Sequence, residues 1–210
     1  MAPKLLLSFL LICINLQFSF SQHIDIDKKA LSFLASEEKV NLVFTFDNVL
    51  FGGKNITEEE FLQIEFLKIS ESKGEEVAND WLTVYKNNKE EIWQETFATT
   101  LNEKLSNYEN SPEFILDDET SKYTMKVNVD WMYFGYNVVI GKEPSKVNME
   151  LTFYETVKPR DTIFTTQIRR AMGLNNDSYN FNDWPSIRRM EKAYTKAAYK
   201  LAQALKRIVD

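Results

Sequence analysis

Thiol and imidazole chemistry is almost missing from this chain, whose 210 residues include one cysteine, Cys13, and one histidine, His23. Cys13 falls inside the apolar run Leu5 to Ile14, which follows Lys4 and precedes Ser19-Phe20-Ser21, a small-residue cleavage motif before Gln22. This is the layout of a secretory leader. Asn15 and Gln17 close the run short of the ~20 apolar residues that a spanning helix needs, so the sequence predicts a signal peptide over 1–21 and no transmembrane span after its removal. Leu10-Leu11-Ile12 carries bulky Ile12 where a lipoprotein box needs a small residue, and no lipid anchor is expected. A mature chain starting at Gln22 has no cysteine, hence no disulfide, thiolate metal site or thiol nucleophile, although an exported address permits disulfides. His23 would be its second residue, where a frayed end cannot support a Ser-His-Asp arrangement or a histidine metal site.

Glycine and proline are also scarce, with 6 and 5 in the whole chain, and their scatter marks no linker. The sequence therefore predicts a lead-in segment over 22–39 and one domain over 40–210, long enough to bury a core. Basic residues number 25 against 31 acidic ones, a formal charge of −6, and loss of Lys4 with the leader makes it one unit more negative. That sign excludes nucleic acid as the main partner.

Val40 to Phe46 is β-branched and aromatic and reads as a buried strand, followed by a Gly52-Gly53 turn. Thr57 and Glu60 form a capping box, with Ile56 and Phe61 spaced as a hydrophobic staple, so a helix should run to about Lys73 and stop at Gly74. A second helical stretch carries Val77, Trp81, Leu82 and Tyr85, pauses at Asn87-Asn88, and resumes with Trp93, Phe97, Leu101 and Leu105 as a core-facing stripe. From Phe114 the period becomes two. Tyr123, Met125, Val127, Val129, Trp131 and Tyr133 are expected on the buried face of a strand, with Met132 on the wet face. Val147 to Phe153 should pair with it as an antiparallel hairpin, and a third strand should span Thr162 to Met172. A last helix, capped by Asp183 with Pro185 in its first turn, places Ile187, Met190, Tyr194, Ala197, Leu201, Leu205 and Ile208 on one face. The predicted fold is α+β: a mixed or antiparallel sheet of about four strands against two or three helices, with a long C-terminal helix.

Acidic clusters are numerous but read as turns and caps: Glu58-Glu59-Glu60 at a helix start, Asp117-Asp118-Glu119 in a turn, and Asn175 to Asp183, which lacks the glycine and closing glutamate of a calcium loop. No catalytic residue, cofactor or metal ligand is assigned. Asn55-Ile56-Thr57 and Asn176-Asp177-Ser178 match the glycosylation sequon. The clearest charge pattern is basic, with Arg188, Arg189, Lys192, Lys196 and Lys200 on the last helix. The three lysines align four apart, a stripe that could meet an acidic partner or an anionic surface.

Val40 to Asn48, the stretch Phe97-Ala98-Thr99-Thr100-Leu101-Asn102-Glu103-Lys104-Leu105, the hairpin from Tyr123 to Phe153, and Ala193-Tyr194 to Leu205 together resemble a broad group of small bacterial envelope α+β domains. The group includes lipoprotein activators of penicillin-binding proteins, the N-terminal domain of TolB and the periplasmic part of curli secretion channels. The resemblance implies a periplasmic or surface domain that binds another envelope protein without doing chemistry, and it carries no functional residues across. The leading expectation is therefore a non-enzymatic exported interaction or assembly module. A carrier of a small apolar ligand and a carboxylate-dependent glycan-active enzyme are the alternatives.

Overall fold

The computed structural model describes residues 24–138, 141–173 and 187–210. The leader, His23, the Asn175 to Asp183 loop and the Asp183 and Pro185 cap lie outside the described residues. The described chain begins with Ile24, Leu31 and Leu34 already buried, the last within a 3-10 turn at Ser32–Ser36. The expected lead-in is thus part of the core.

Next come β1 (Lys39–Thr45), β2 (Leu50–Phe51) and β3 (Ile56–Thr57), followed by helix α1 (Glu58–Lys73). The capping box forms as expected: Thr57 Oγ1 accepts from the Glu60 N–H at 3.2 Å, and Glu60 Oε2 accepts from the Thr57 N–H at 2.9 Å. Gly74, at φ +97°, ends α1 and opens α2 (Glu75–Asn87), a one-residue link that needs a residue free to adopt positive φ. A π turn at Asn88–Ile92 then leads into α3 (Trp93–Leu105), where the sequence predicts a pause. Asn88 Nδ2 donates to the Val84 carbonyl at 2.9 Å, and Gln94 Nε2 donates to the Lys89 carbonyl at 3.0 Å.

Strands β4 (Glu113–Leu116), β5 (Tyr123–Tyr133), β6 (Tyr136–Val138), β7 (Gly141–Glu143), β8 (Lys146–Glu155) and β9 (Thr162–Met172) follow, and α4 (Ile187–Val209) completes the fold. The main sheet is mixed, ordered β4-β1-β5-β8-β9. β4, β1 and β5 are parallel, whereas β5, β8 and β9 form the expected antiparallel meander. Beyond β1, β2 continues along the same side of β5 and pairs with β3. The sheet has seven strands, with β6 and β7 as a separate two-stranded ribbon, rather than about four strands in all. The extra strands are two to four residues long, too short for alternation to announce them.

α3 packs on α4, and α4 lies over β8 and β9, enclosing the core on one face of the sheet. Trp93, Phe97, Leu101 and Leu105 are buried as their spacing predicts, as are Met190, Tyr194, Ala197, Leu201 and Leu205. Trp93 stacks on Tyr194 at 5.6 Å, and Phe97 meets Phe44 edge-on at 5.4 Å. Each such side chain contributes roughly 1.5–3 kcal/mol on burial. Val77 departs from the expected stripe: it is exposed, while Ala78 and Tyr85 face inward.

The alternation along β5 also departs from the expected pattern, for a visible reason. The register slips between Val129 and Trp131, so Asp130 is an extra residue and the phase inverts. Met132 enters the core opposite Val147. Trp131 and Tyr133 go to the other face, their rings stacked at 6.0 Å, and Trp131 Nε1 donates to the Gly52 carbonyl at 3.0 Å. That other face is polar: Asn41 Nδ2 donates to Thr124 Oγ1 at 3.1 Å, and Thr45 Oγ1 donates to Asn128 Oδ1 at 2.9 Å.

Candidate functional site

The predicted basic stripe divides in the structure. Arg188 is exposed, but Arg189 is 3% exposed and lies where α4 meets the start of β8; the Ser145 hydroxyl donates to its carbonyl at 2.5 Å. Arg189 therefore does not belong to an outward-facing stripe, because the first turn of α4 is clamped against the sheet. Lys192, Lys196 and Lys200 are all partly exposed. Lys192 and Lys196 line a shallow depression of about 350 Å³ together with Thr195, Tyr199, and Thr100 and Lys104 of α3.

Lys104 is the addition that sequence spacing could not supply, since it joins the patch only because α3 and α4 pack side by side. Lys196 Nζ lies 5.1 Å from the centre of the Tyr199 ring, a cation–π contact that fixes the ammonium over the depression. Burial and then the neighbouring Lys196 charge hold the Lys200 ammonium below the ordinary lysine range. A group of ammonium side chains around one depression creates a positive potential there that attracts anions.

A second concavity, of about 330 Å³, lies between α1, the end of β2 and the link from β5 to β6. Phe51, Phe61 and Phe134 form its wall; Phe61 stacks on Phe51 at 4.5 Å and on Phe134 at 5.3 Å. Its lining comes from separated segments, so no motif announces it. The expected aromatic stripe is visible in part, through Tyr85 and Trp81, both of which touch Phe61.

At the first residue of α1, Glu58 receives hydrogen bonds from the Tyr85 hydroxyl and from Lys89 Nζ, each at 2.7 Å. Burial first, and then Glu58, push the Tyr85 phenol far above its ordinary range, so it serves as a donor and not as an acid. On the open face, Asp130 shares a concavity with Asn148, Gln167 and Arg169. Its carboxyl is pushed up by burial and by Glu150, with Arg169 opposing. Among the described residues no group of three or more His, Cys, Asp or Glu side chains is placed to hold a metal ion, and no helix is long and apolar enough to cross a membrane. No protein-family model, curated protein or solved structure matches this chain.

Proposed function

We propose that this chain is an exported, non-catalytic binding domain of a bacterial envelope, which docks an acidic protein surface on the lysine patch of α3 and α4. The observation that carries the reading is the convergence of Lys104, Lys192 and Lys196 on one depression in a chain of net charge −6. A cation cluster maintained against an acidic background steers anionic partners to one place and raises their association rate. The predicted leader, the scarcity of thiol and imidazole chemistry, and the resemblance to envelope interaction domains support the same reading.

The test pairs a defined probe with the native partner. Titration of the protein with a hexaglutamate peptide should shift backbone amides around Thr100, Thr195 and Tyr199 in heteronuclear NMR, and about 0.5 M salt should abolish the shifts by screening. The triple charge reversal Lys104→Glu, Lys192→Glu, Lys196→Glu should remove both this response and the retention of a partner from envelope extracts. Retention unchanged by the reversal, or turnover of a substrate by the purified protein, would sink the proposal.

A further inference from the structure

Charge in the helical layer is sorted by element. From Glu58 to Ile92, through α1, α2 and the π turn, the chain carries ten acidic and four basic side chains, a net −6, whereas α4 carries seven basic and one acidic, a net +6. The fold holds the two apart: α1 packs on α2, β2 and β3, while α4 packs on α3, β8 and β9. Three lysines of the acidic stretch already meet carboxylates of that same stretch, Lys68 with Glu65 at 2.8 Å, Lys89 with Glu58 at 2.7 Å and Lys86 with Glu90 at 3.9 Å. The outer side of α2 keeps its negative charge, because Glu76 and Asp80 are exposed and make no ion pair among the described residues. On the same helix Val77 is 42% exposed and Val84 49%, large apolar side chains left in water.

We infer that the acidic surface which docks on the lysine patch is α2 of a second copy of this chain, in a head-to-tail contact between unlike faces. The inference rests on the patch reading above and names its partner. A partner for the patch needs carboxylates at the lysine spacing with an apolar group beside them, and the chain itself supplies one. Glu76 and Asp80 stand one helical turn apart on α2, as Lys192 and Lys196 do on α4, about 6 Å along the axis in each case. Tyr199, 36% exposed where it lines the lysine depression, is the apolar counterpart of Val77 and Val84. The opposed charges set the register and exclude like-charged pairings, while valine against the tyrosine ring adds burial that charge alone does not supply. Because the contact joins different faces, a pair still has one acidic and one basic face open, so assembly continues into a chain or closes as a ring.

Sedimentation velocity of the full chain over a range of micromolar concentrations tests this. At low ionic strength the sedimentation coefficient should rise with concentration, and about 0.5 M salt should abolish the rise. The reversal Glu76→Lys, Asp80→Lys, and separately the reversal Lys104→Glu, Lys192→Glu, Lys196→Glu, should each weaken self-association by about a hundredfold or more, because like charges then face one another. An equimolar mixture of the two variants should associate again, since each keeps the face that the other has lost, and this recovery separates a lost contact from a lost fold. In the unaltered chain, dilution should move the amides of Val77, Asp80 and Val84 together with those of Thr195 and Tyr199 in heteronuclear NMR, a readout that needs no variant. A monomer at every concentration in low salt, association that survives either reversal, a mixture of folded variants that stays apart, or shifts confined to one of the two helices would each overturn the inference. A monomer whose Thr195 and Tyr199 amides still respond to hexaglutamate overturns self-assembly and leaves the acidic-partner reading standing; a monomer without that response overturns both.

Discussion

The side chain of Asn102 binds both backbone groups of Phe114, its Nδ2 donating to the Phe114 carbonyl at 2.8 Å and its Oδ1 accepting from the Phe114 N–H at 2.9 Å. Phe114 lies in β4, at the edge of the sheet, and the amide of α3 takes the place that another strand's backbone would fill. Asn102→Ala should lower stability by about 1–3 kcal/mol, because two edge groups lose their partners at once. Urea denaturation checks this, and an unchanged midpoint would refute it. The same variant should self-associate more readily in sedimentation velocity, since the edge becomes available for pairing.

Glu58 joins α1 to the stretch around the π turn through two different donors. Tyr85→Phe removes one hydrogen bond and should cost about 1 kcal/mol. Glu58→Ala should cost more, because it deprives both the Tyr85 hydroxyl and the Lys89 ammonium of their acceptor and removes an anion from the first turn of α1. Thermal unfolding of the two variants orders them. A Tyr85→Phe loss equal to or larger than the Glu58→Ala loss would contradict the assignment.

Asp130 sets a pH dependence of definite sign. Its folded-state carboxyl titrates above the ordinary aspartate range, because burial and Glu150 disfavour the anion more than Arg169 supports it. The folded state therefore holds this proton more tightly than the unfolded chain, and the contribution to stability is present at acid pH and lost as pH rises through the raised value. Asp130→Asn should stabilise the protein at neutral pH, with the advantage shrinking on acidification into the carboxylate range. Denaturant titrations of both proteins across that range test the convergence; a gap that widens toward acid pH has the wrong sign.

Two glycines should respond very differently to alanine. At Gly74 a Cβ meets nothing within 4 Å, so Gly74→Ala carries only the backbone strain of φ +97°, ψ 158°, about 1–3 kcal/mol. At Gly135, φ +69°, a Cβ would collide with the backbone of Glu143 and Pro144, the latter at 2.7 Å. Gly135→Ala should therefore be the more destabilising by several kcal/mol, as the strain adds to overpacking. Comparable melting temperatures for the two variants would show that the ribbon end yields.

What could be read from the sequence was local. The Thr57 and Glu60 box, the stop at Gly74, the interruption after Asn87 and the span of β9 all rest on neighbouring residues or on uninterrupted period, and the structure contains each of them. The bulge at Asp130 was hidden because alternation assumes one residue per step, and Trp131 is as apolar as a core residue should be. Its indole is held instead by Gly52 and Asn55, partners more than 70 positions away. The lysine patch was half legible: Lys192 and Lys196 share a helix, whereas Lys104 arrives from another. The burial of Glu65 had no local signature, since a glutamate in the middle of a polar helix reads as solvated until the fold covers it.

The π turn between α2 and α3 has a consequence for how the chain tolerates changes in length. A wide turn holds one residue more than an α-helix needs to cover the same advance, so the helices on either side keep their phase despite the surplus. Deleting one residue from Asn88–Ile92 would let the turn tighten to α geometry with Phe97, Leu101 and Leu105 still facing inward. The same deletion one turn later, inside α3, would rotate everything beyond it by about 100° and turn that apolar ridge toward water. The helical layer thus has, in this turn, a place where its length can change without its facing.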